Sequence, residues 1–350
     1  MYRTLLLGCA GPASANFVDA VNQSTHEHTF IGADASPYML ALSPLEIKYL
    51  IPPAGSYEYY DAVKEIVKNE KIDFIHPQPD VEVDAITINL KVFEGVKTFL
   101  PDHSIIRKCQ DKELTYDILY EAGVPVPHSF QATEEKISAA LELYGKIWLR
   151  ARKGAGSKAA LPITSLLQAQ GWLDYWKDRY LNPSQFMISE FLPGKEYAWQ
   201  SLWYNGELVS SQARERVEYF AGNLAPSGQT SSPSVARTVT REDLDTTGQA
   251  AVRAVSSKPH GVFCIDLKEN YAGTPCVTEI NAGRFFTTSN FFAHAGLNMP
   301  AMYLELGLTG ELQDRQGRTD NLPDDLYWLR WIDTGYKLVD GKDIDNYTNS

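Results

Sequence analysis

The chain has 350 residues, 44% hydrophobic and 22% charged, the balance of a globular protein long enough for two or three packed cores. Its net charge of -12, with no run of Lys and Arg, disfavours a nucleic-acid partner, because affinity for a phosphate backbone rests on clustered cations. No apolar run approaches the roughly 18 residues that cross a bilayer, so a membrane-spanning protein is not expected.

Leu6, Leu7, Gly8 and Cys9 match a lipoprotein cleavage box, but the apolar stretch before them is far shorter than a signal peptide's. Cys9, Cys109, Cys264 and Cys276 show no CxxC spacing and suit buried thiols. A cytoplasmic location is the expectation.

In chain order, residues 2–7 read as a short apolar strand, GCAGPASANFVDAVNQ as a glycine-rich turn entering a helix, and TFIGADAS as a second strand ending near Asp34. Residues 59–69 read as a helix, KIDFIHP as a third strand and DVEVDAITINLKVFE as another helix. This alternation predicts a Rossmann-like parallel α/β unit over residues 1–105. Gly8, Gly11 and Asp34 have the flavour of a dinucleotide fingerprint, yet GCAGPASAN lacks GxGxxG and Pro12 occupies the helix entry, so a tight strand-to-helix turn is preferred.

From about residue 105 the grammar changes. KELTYDILYEAG is a helix stopped by Gly123 and VPVP, and residues 133–143 form another, capped by Thr133. KIWLRAR is a strand with Trp148, Arg150 and Arg152 on one face and Ile147, Leu149 and Ala151 on the other, followed by the loop KGAGSK. Strands follow in FMISEFL, EYAWQSLWY and GELVSSQARERVEYF, joined at Pro193-Gly194 and Asn205-Gly206, the Asn-Gly pair being a hairpin signal. Residues 221–239 read as a loop and DLDTTGQAAVRAVSS as a helix. Antiparallel sheet with helices is expected over residues 106–310, with residues 311–350 as an extension packed on that core.

The most informative stretch is GVFCIDLKENYAGTPCVTEINAGR, residues 261–284. A hairpin symmetric about Ala272-Gly273 places Asp266 opposite Glu279, at the roughly 5 Å of cross-strand neighbours, which is repulsive unless a cation lies between them. Asn281 shares the face of Glu279, and the three make an all-oxygen set suited to Mg2+, with Mn2+ also admissible. The bland alternative is a solvated hairpin face, against which stand the apolar neighbours Phe263, Ile265, Val277 and Ile280. Arg150 leads into Gly154, Gly156, Ser157 and Lys158, where glycines let backbone N–H groups approach phosphates; the spacing is not that of a P-loop. The seven histidines form no Ser-His-Asp or zinc pattern.

Asp111-Lys112 ahead of GVPVP, then LRARKGAGSK, SEFLPGKEY, IDLK and TEINAGR, occur in the order seen in the ATP-grasp superfamily. The chain resembles that superfamily over about residues 1–310, most closely one half of the carbamoyl-phosphate synthase large subunit, with GADAS and HPQPDVEV similar to its preceding domain. The resemblance implies an α/β protein in which an ATP-grasp fold follows the Rossmann-like domain, with a lid subdomain at about residues 113–190. It further implies that Lys112 and Arg150 contact ATP phosphates and that the Gly154, Gly156, Ser157 and Lys158 loop closes over them. Glu190, Phe191 and Leu192 would meet adenine, Glu196 the ribose, and Asp266, Glu279 and Asn281 the metal. Arg284 would stabilise the transferring phosphoryl group. Two departures bear on this: Asp266 stands where several relatives have Gln or Glu, and Arg284 is displaced by one position.

The activity so implied is ligation of a small-molecule carboxylate to an amine or ammonia through an acyl phosphate, with catalytic roles for Arg150 and Arg284. Homodimers are common among such proteins. Arg214 and Arg216 share one strand face and are candidates for the acyl substrate's carboxylate, the alternative being a solvated strand. Residues 222–234 could cover the acceptor amine, and Phe285, Phe286, Phe291 and Phe292 either shape that pocket or fill the core. An ATP-grasp kinase without an amine acceptor, or a regulatory nucleotide binder, are the rival functions.

Overall fold

A computed structural model of the chain describes residues 2–25, 27–154, 159–230, 232–312 and 322–331. The first unit runs β1 (Tyr2–Leu7), α1 (Pro12–Asn22), β2 (His28–Asp34), α2 (Pro37–Leu42), β3 (Ile47–Leu50), α3 (Tyr59–Asn69), β4 (Phe74–Pro77) and α4 (Asp80–Ile88). Its sheet is parallel in the order β3-β2-β1-β4. Leu5, Leu7 and Ile31 pack against Tyr59, Val63 and Ile66 of α3, whereas Leu6 joins Phe17, Val18 and Val21 of α1, so the strands are buried on both faces. The sheet has one strand more than expected. Half-buried β3 shows no apolar alternation, and α2 has six residues, too few for a helical period to register.

The glycine-rich turn is a point of close approach. Gly8 has φ +68°, and a Cβ there would lie 2.3 Å from Pro79, which introduces α4.

Inside this unit Glu82 of α4 is buried and accepts a hydrogen bond from Tyr59. Burial outweighs that bond and pushes the Glu82 pKa up to about 7 from 4.5. A raised carboxylate pKa means that the native state binds its proton more tightly than the unfolded chain. Stability is therefore lost as pH rises from about 4.5 to about 7, by about 3 kcal/mol. We expect Tm to fall between about pH 5 and about pH 8, and Glu82→Gln to flatten that slope and raise Tm at the alkaline end. An unchanged slope in the variant, read by calorimetry across pH, would mean that Glu82 is not the group responsible.

The second unit comprises α5 (His103–Gln110), α6 (Lys112–Glu121), β5 (Ser129–Gln131), α7 (Glu134–Tyr144), β6 (Ile147–Ala151), β7 (Leu161–Ile163), α8 (Leu166–Lys177) and β8 (Phe186–Glu190). Its four strands lie in the antiparallel order β5-β8-β6-β7. Thr133 caps α7 by accepting from the Lys136 N–H, and Asp111 caps α6. Ile147 and Leu149 enter the core that α7 and α8 cover, which leaves Trp148 and Arg150 on the opposite face.

The largest sheet takes β9 (Glu196–Tyr204), β10 (Glu207–Tyr219), β11 (Pro233–Val239), then α9 (Glu242–Val255), β12 (Gly261–Glu269), β13 (Pro275–Ala282), α10 (Ser289–His294), α11 (Met299–Thr309) and β14 (Tyr327–Leu329). The strand order is β13-β12-β9-β10-β11-β14, antiparallel throughout. Asn205 and Gly206, both with positive φ, make the β9–β10 hairpin turn. Pro193-Gly194 does not close a hairpin: β8 belongs to the four-stranded sheet and β9 to the six-stranded one, so residues 191–195 cross between sheets. Residues 221–239 are only partly loop, since β11 pairs with both β10 and β14. No helix among the described residues is long and apolar enough to cross a membrane.

Candidate active site

One face of the six-stranded sheet carries a grid of charge set by strand register. In antiparallel pairs, directly opposed residues point to the same side. Glu279, Asp266, Ala198 and Arg214 stand opposite one another across β13, β12, β9 and β10. The next row along the same strands holds Lys268, Glu196 and Arg216.

The pairing of Asp266 with Glu279 is as hairpin symmetry predicts, but by a different route. Glu269 pairs with Pro275 and Leu267 with Val277, a register centred on Ala272 alone. A bulge at Thr278 then inserts one residue and brings Glu279 opposite Asp266. Its freed carbonyl accepts from Tyr116 Oη at 3.0 Å and from Arg150 Nη1 at 3.2 Å, which ties α6 and β6 to the large sheet.

Cations of the chain itself offset the two carboxylates. Arg150 Nη2 donates to Glu279 Oε2 at 3.2 Å, Lys112 Nζ lies 3.4 Å from Glu279 Oε1, and Arg216 Nη2 lies 2.5 Å from Asp266 Oδ1. Burial alone would raise the Glu279 pKa; Lys112, Arg150 and Arg284 overcome it and hold the value at about 2. For Asp266 burial prevails over Arg216 and the pKa is raised. Arg284 is pinned by both oxygens of Asp80, at the start of α4, and by Asn281 Oδ1. Asn281 Nδ2 in turn faces Asp266 Oδ2 at 3.4 Å. The solvated-face alternative therefore fails, because these acids sit within a part-buried ionic network.

The grid faces a cavity of about 600 Å³ between the three sheets. Arg150, Gly154, Glu190, Phe191, Leu192, Glu196, Arg216, Asp266, Glu279, Asn281 and Arg284 all line it. Lys112 does not. It is 3% exposed and borders an adjoining space of about 190 Å³, where Nζ donates to the Gly154 carbonyl at 2.8 Å. Gly156, Ser157 and Lys158 lie outside the described residues. Glu190 accepts from the His128 N–H, and Lys146 stacks over Phe191 at 3.7 Å. The Glu196 carboxylate receives Lys268, Tyr219 and Gln229.

Arg214 departs from its expected place. It shares the face of Arg216 but is fully buried and does not line the cavity. Among the phenylalanines, Phe286 lines the cavity, while Phe285, Phe291 and Phe292 belong to the core.

Sequence reasoning missed Asp80, Lys268, Tyr219 and Gln229. Lys268 was within reach, since it lies two residues from Asp266 on the same strand face. Asp80 lies in the HPQPDVEV segment noted for its resemblance, but nothing local tied it to Arg284, 204 positions on.

Comparison with solved structures supplies the fold's name. Biotin carboxylase from Campylobacter jejuni, in complex with a β,γ-ATP ligand, is similar at TM-score 0.68 and 15% identity, over 90% of this chain and 72% of that one. The biotin carboxylase domain of 2-oxoglutarate carboxylase from Hydrogenobacter thermophilus, a dimer with MgADP, ADP and bicarbonate, gives 0.72 at 13%, over 93% and 73%. L-amino acid ligase from Bacillus licheniformis gives 0.66 at 14%, over 88% and 74%. The chain has the ATP-grasp fold. No family model matches the sequence, and no curated protein does. At such identities the likeness extends to the ATP-grasp architecture and no further.

A stability consequence follows from the Glu279 network. Its depressed pKa means that its contribution is present above about 4.5 and lost as pH falls towards about 2. Glu279→Gln strands Lys112 and Arg150, at a cost of about 3–5 kcal/mol. The double variant Lys112→Met/Glu279→Gln should recover part of that loss in urea unfolding. Strict additivity of the two single changes would show that the pair is not coupled.

Proposed function

We propose that this chain is an ATP-dependent carboxylate–amine ligase, using magnesium or manganese and forming an amide or peptide bond through an acyl phosphate. The observation that carries the reading is the Asp266–Glu279 pair, facing a cavity with Asn281 beside it and Lys112, Arg150 and Arg284 around it. Solved ATP-grasp structures containing ATP or MgADP support it, among them carboxyaminoimidazole ribonucleotide synthase from asperigillus clavatus with ATP.

Asp266, Glu279 and, with its amide turned so that Oδ1 rather than Nδ2 faces Asp266, Asn281 would offer a hard oxygen set suited to a divalent cation such as Mg2+. That ion, when bound, offsets negative charge on the nucleotide's phosphates. Arg150, on the cavity wall, would meet the phosphates, and Lys112, buried behind it, would act on them through Glu279. Glu190, at the end of β8, with Phe191 and Leu192 in the crossover between sheets, would hold adenine and Glu196 the ribose. A carboxylate oxygen of the substrate attacks the γ-phosphorus and the bond to ADP breaks. Arg284, fixed by Asp80, would offset the charge that develops. The amine nitrogen then attacks the acyl carbon, gives up a proton, and inorganic phosphate leaves. The acceptor is an amine or ammonia, and dimerisation, as in the Hydrogenobacter domain, is an accompanying proposal.

Asn281→Ala is the cleaner test of the site, because it removes a metal ligand while Arg284 keeps Asp80 and no buried charge is stranded. Formation of ADP and phosphate should require a carboxylate, an amine and Mg2+ together, and should drop by roughly a hundredfold in the variant with Tm nearly unchanged. Normal turnover in Asn281→Ala would sink the metal site. A stable phosphorylated product formed without amine would select the kinase.

A further inference from the structure

Every carboxylate oxygen of Asp266 and Glu279 is already answered by the chain itself. Arg216 Nη2 lies 2.5 Å from Asp266 Oδ1 and Asn281 Nδ2 lies 3.4 Å from Asp266 Oδ2. Lys112 Nζ lies 3.4 Å from Glu279 Oε1 and Arg150 Nη2 lies 3.2 Å from Glu279 Oε2. With Arg284 held by Asp80, four cations face three carboxylates in this network, one positive charge in excess. A divalent cation arriving alone would compete with nitrogen donors for the oxygen lone pairs it needs, and would meet a net positive field.

The four cations are not held alike. Lys112 donates to the Gly154 carbonyl at 2.8 Å, Arg150 to the Thr278 carbonyl at 3.2 Å, and Arg284 to both oxygens of Asp80, so each keeps an anchor when a metal takes up the group it faces. Arg216 has no anchor of that kind. Among the described residues it donates to no backbone carbonyl, its Nε is buried without a hydrogen-bond partner, and the Tyr219 hydroxyl is the group that supports it besides Asp266. Glu196, directly opposite Arg216 in the pairing of β9 and β10, is taken up by Lys268, Tyr219 and Gln229, and Arg216 reaches to Asp266 instead. A divalent ion on Asp266 would sit within about 5 Å of that guanidinium, where like charges in a part-buried site repel strongly. Arg216 also lines the cavity, so once displaced from Asp266 it stays where an anion in the cavity can accept it.

We propose that Arg216 is the resident counter-ion of Asp266: it holds the metal's place before nucleotide binds, excludes a free divalent cation, and yields when nucleotide phosphates arrive with the metal and accept the guanidinium in exchange. The proposal rests on the metal and nucleotide reading of the cavity, and not on the ligation step.

Mn2+ is the probe, followed on the full chain by loss of the free-ion electron paramagnetic resonance signal and by Tm. Wild type should bind Mn2+ alone weakly, with no rise in Tm, but should gain Tm from Mn2+ with a non-hydrolysable ATP analogue beyond what the analogue gives by itself. Arg216→Gln should bind Mn2+ alone roughly tenfold tighter or more, and Mn2+ should raise its Tm. Arg216→Lys, which keeps the charge, should restore the wild-type pattern, and the double variant Asp266→Asn/Arg216→Gln should lose the gained affinity while remaining folded. Binding of Mn2+ alone by wild type or by Arg216→Lys as tightly as by Arg216→Gln would overturn the proposal and leave the metal site standing. The wild-type measurement decides even where Arg216→Gln does not fold: a Tm raised by Mn2+ alone as far as by Mn2+ with the analogue would overturn the exchange. No response of wild type to Mn2+, with or without the analogue, would overturn the metal reading and the proposal with it.

Discussion

Two carboxylates, Asp266 and Glu279, stand side by side on one sheet face, and the charged groups around them are placed by the need to offset that repulsion. Lys112 comes from the start of α6, Arg150 from β6, Arg216 from β10, and Arg284 from beyond β13. Each brings its own part of the fold to the same point. The outcome is asymmetric: Glu279, with two cations in contact, is held strongly ionised, whereas Asp266, with one, is pushed towards protonation. A cation arriving between them would find one acid already charged and a second that gains by its presence.

The three sheets meet at this network rather than through a continuous apolar interface alone. The bulge at Thr278 turns a ladder carbonyl outward to Tyr116 and Arg150, so the irregularity that sets the carboxylate register also attaches the four-stranded sheet. Asp80 does the same for the parallel sheet by holding Arg284. The crossover at residues 191–195 carries the chain from one antiparallel sheet to the next along the cavity wall. A displacement of one sheet relative to another would therefore alter the ionic contacts at the carboxylates directly.

Much of this was legible in the residues. Tyr59–Asn69 is a helix with the limits its pattern suggested, Asn205-Gly206 turns the expected hairpin, and Asp266 faces Glu279. These depend on local rules: a helical period, a turn dipeptide, and symmetry over some twenty residues. Failures fell where the signal was short or shared. β3 and α2 are too brief, β11 was hidden by Gly, Pro, Ser and Thr around it, and the longer helices α8 and α11 went unread. Pro193-Gly194 joins strands of two different sheets, and sequence does not say which sheet a strand will join. Arg214 and Arg216 have the same local pattern, yet Arg216 meets Asp266 while Arg214 lies against Phe286, far along the chain.

Sequence by itself determined many of the element types, the order of the charged motifs and the opposition of two acids on one hairpin, because strand alternation and antiparallel register act over short spans of chain. Tertiary structure decided which cation answers which acid, that Lys112 is buried beside Glu279, that Asp80 holds Arg284, and that Nε and Nη1 of Arg214 are left without a hydrogen-bond partner among the described residues. Such contacts join residues 42 to 204 positions apart, from Lys112 and Gly154 at one extreme to Asp80 and Arg284 at the other. Their distances come from how three sheets pack, and no local rule carries that information.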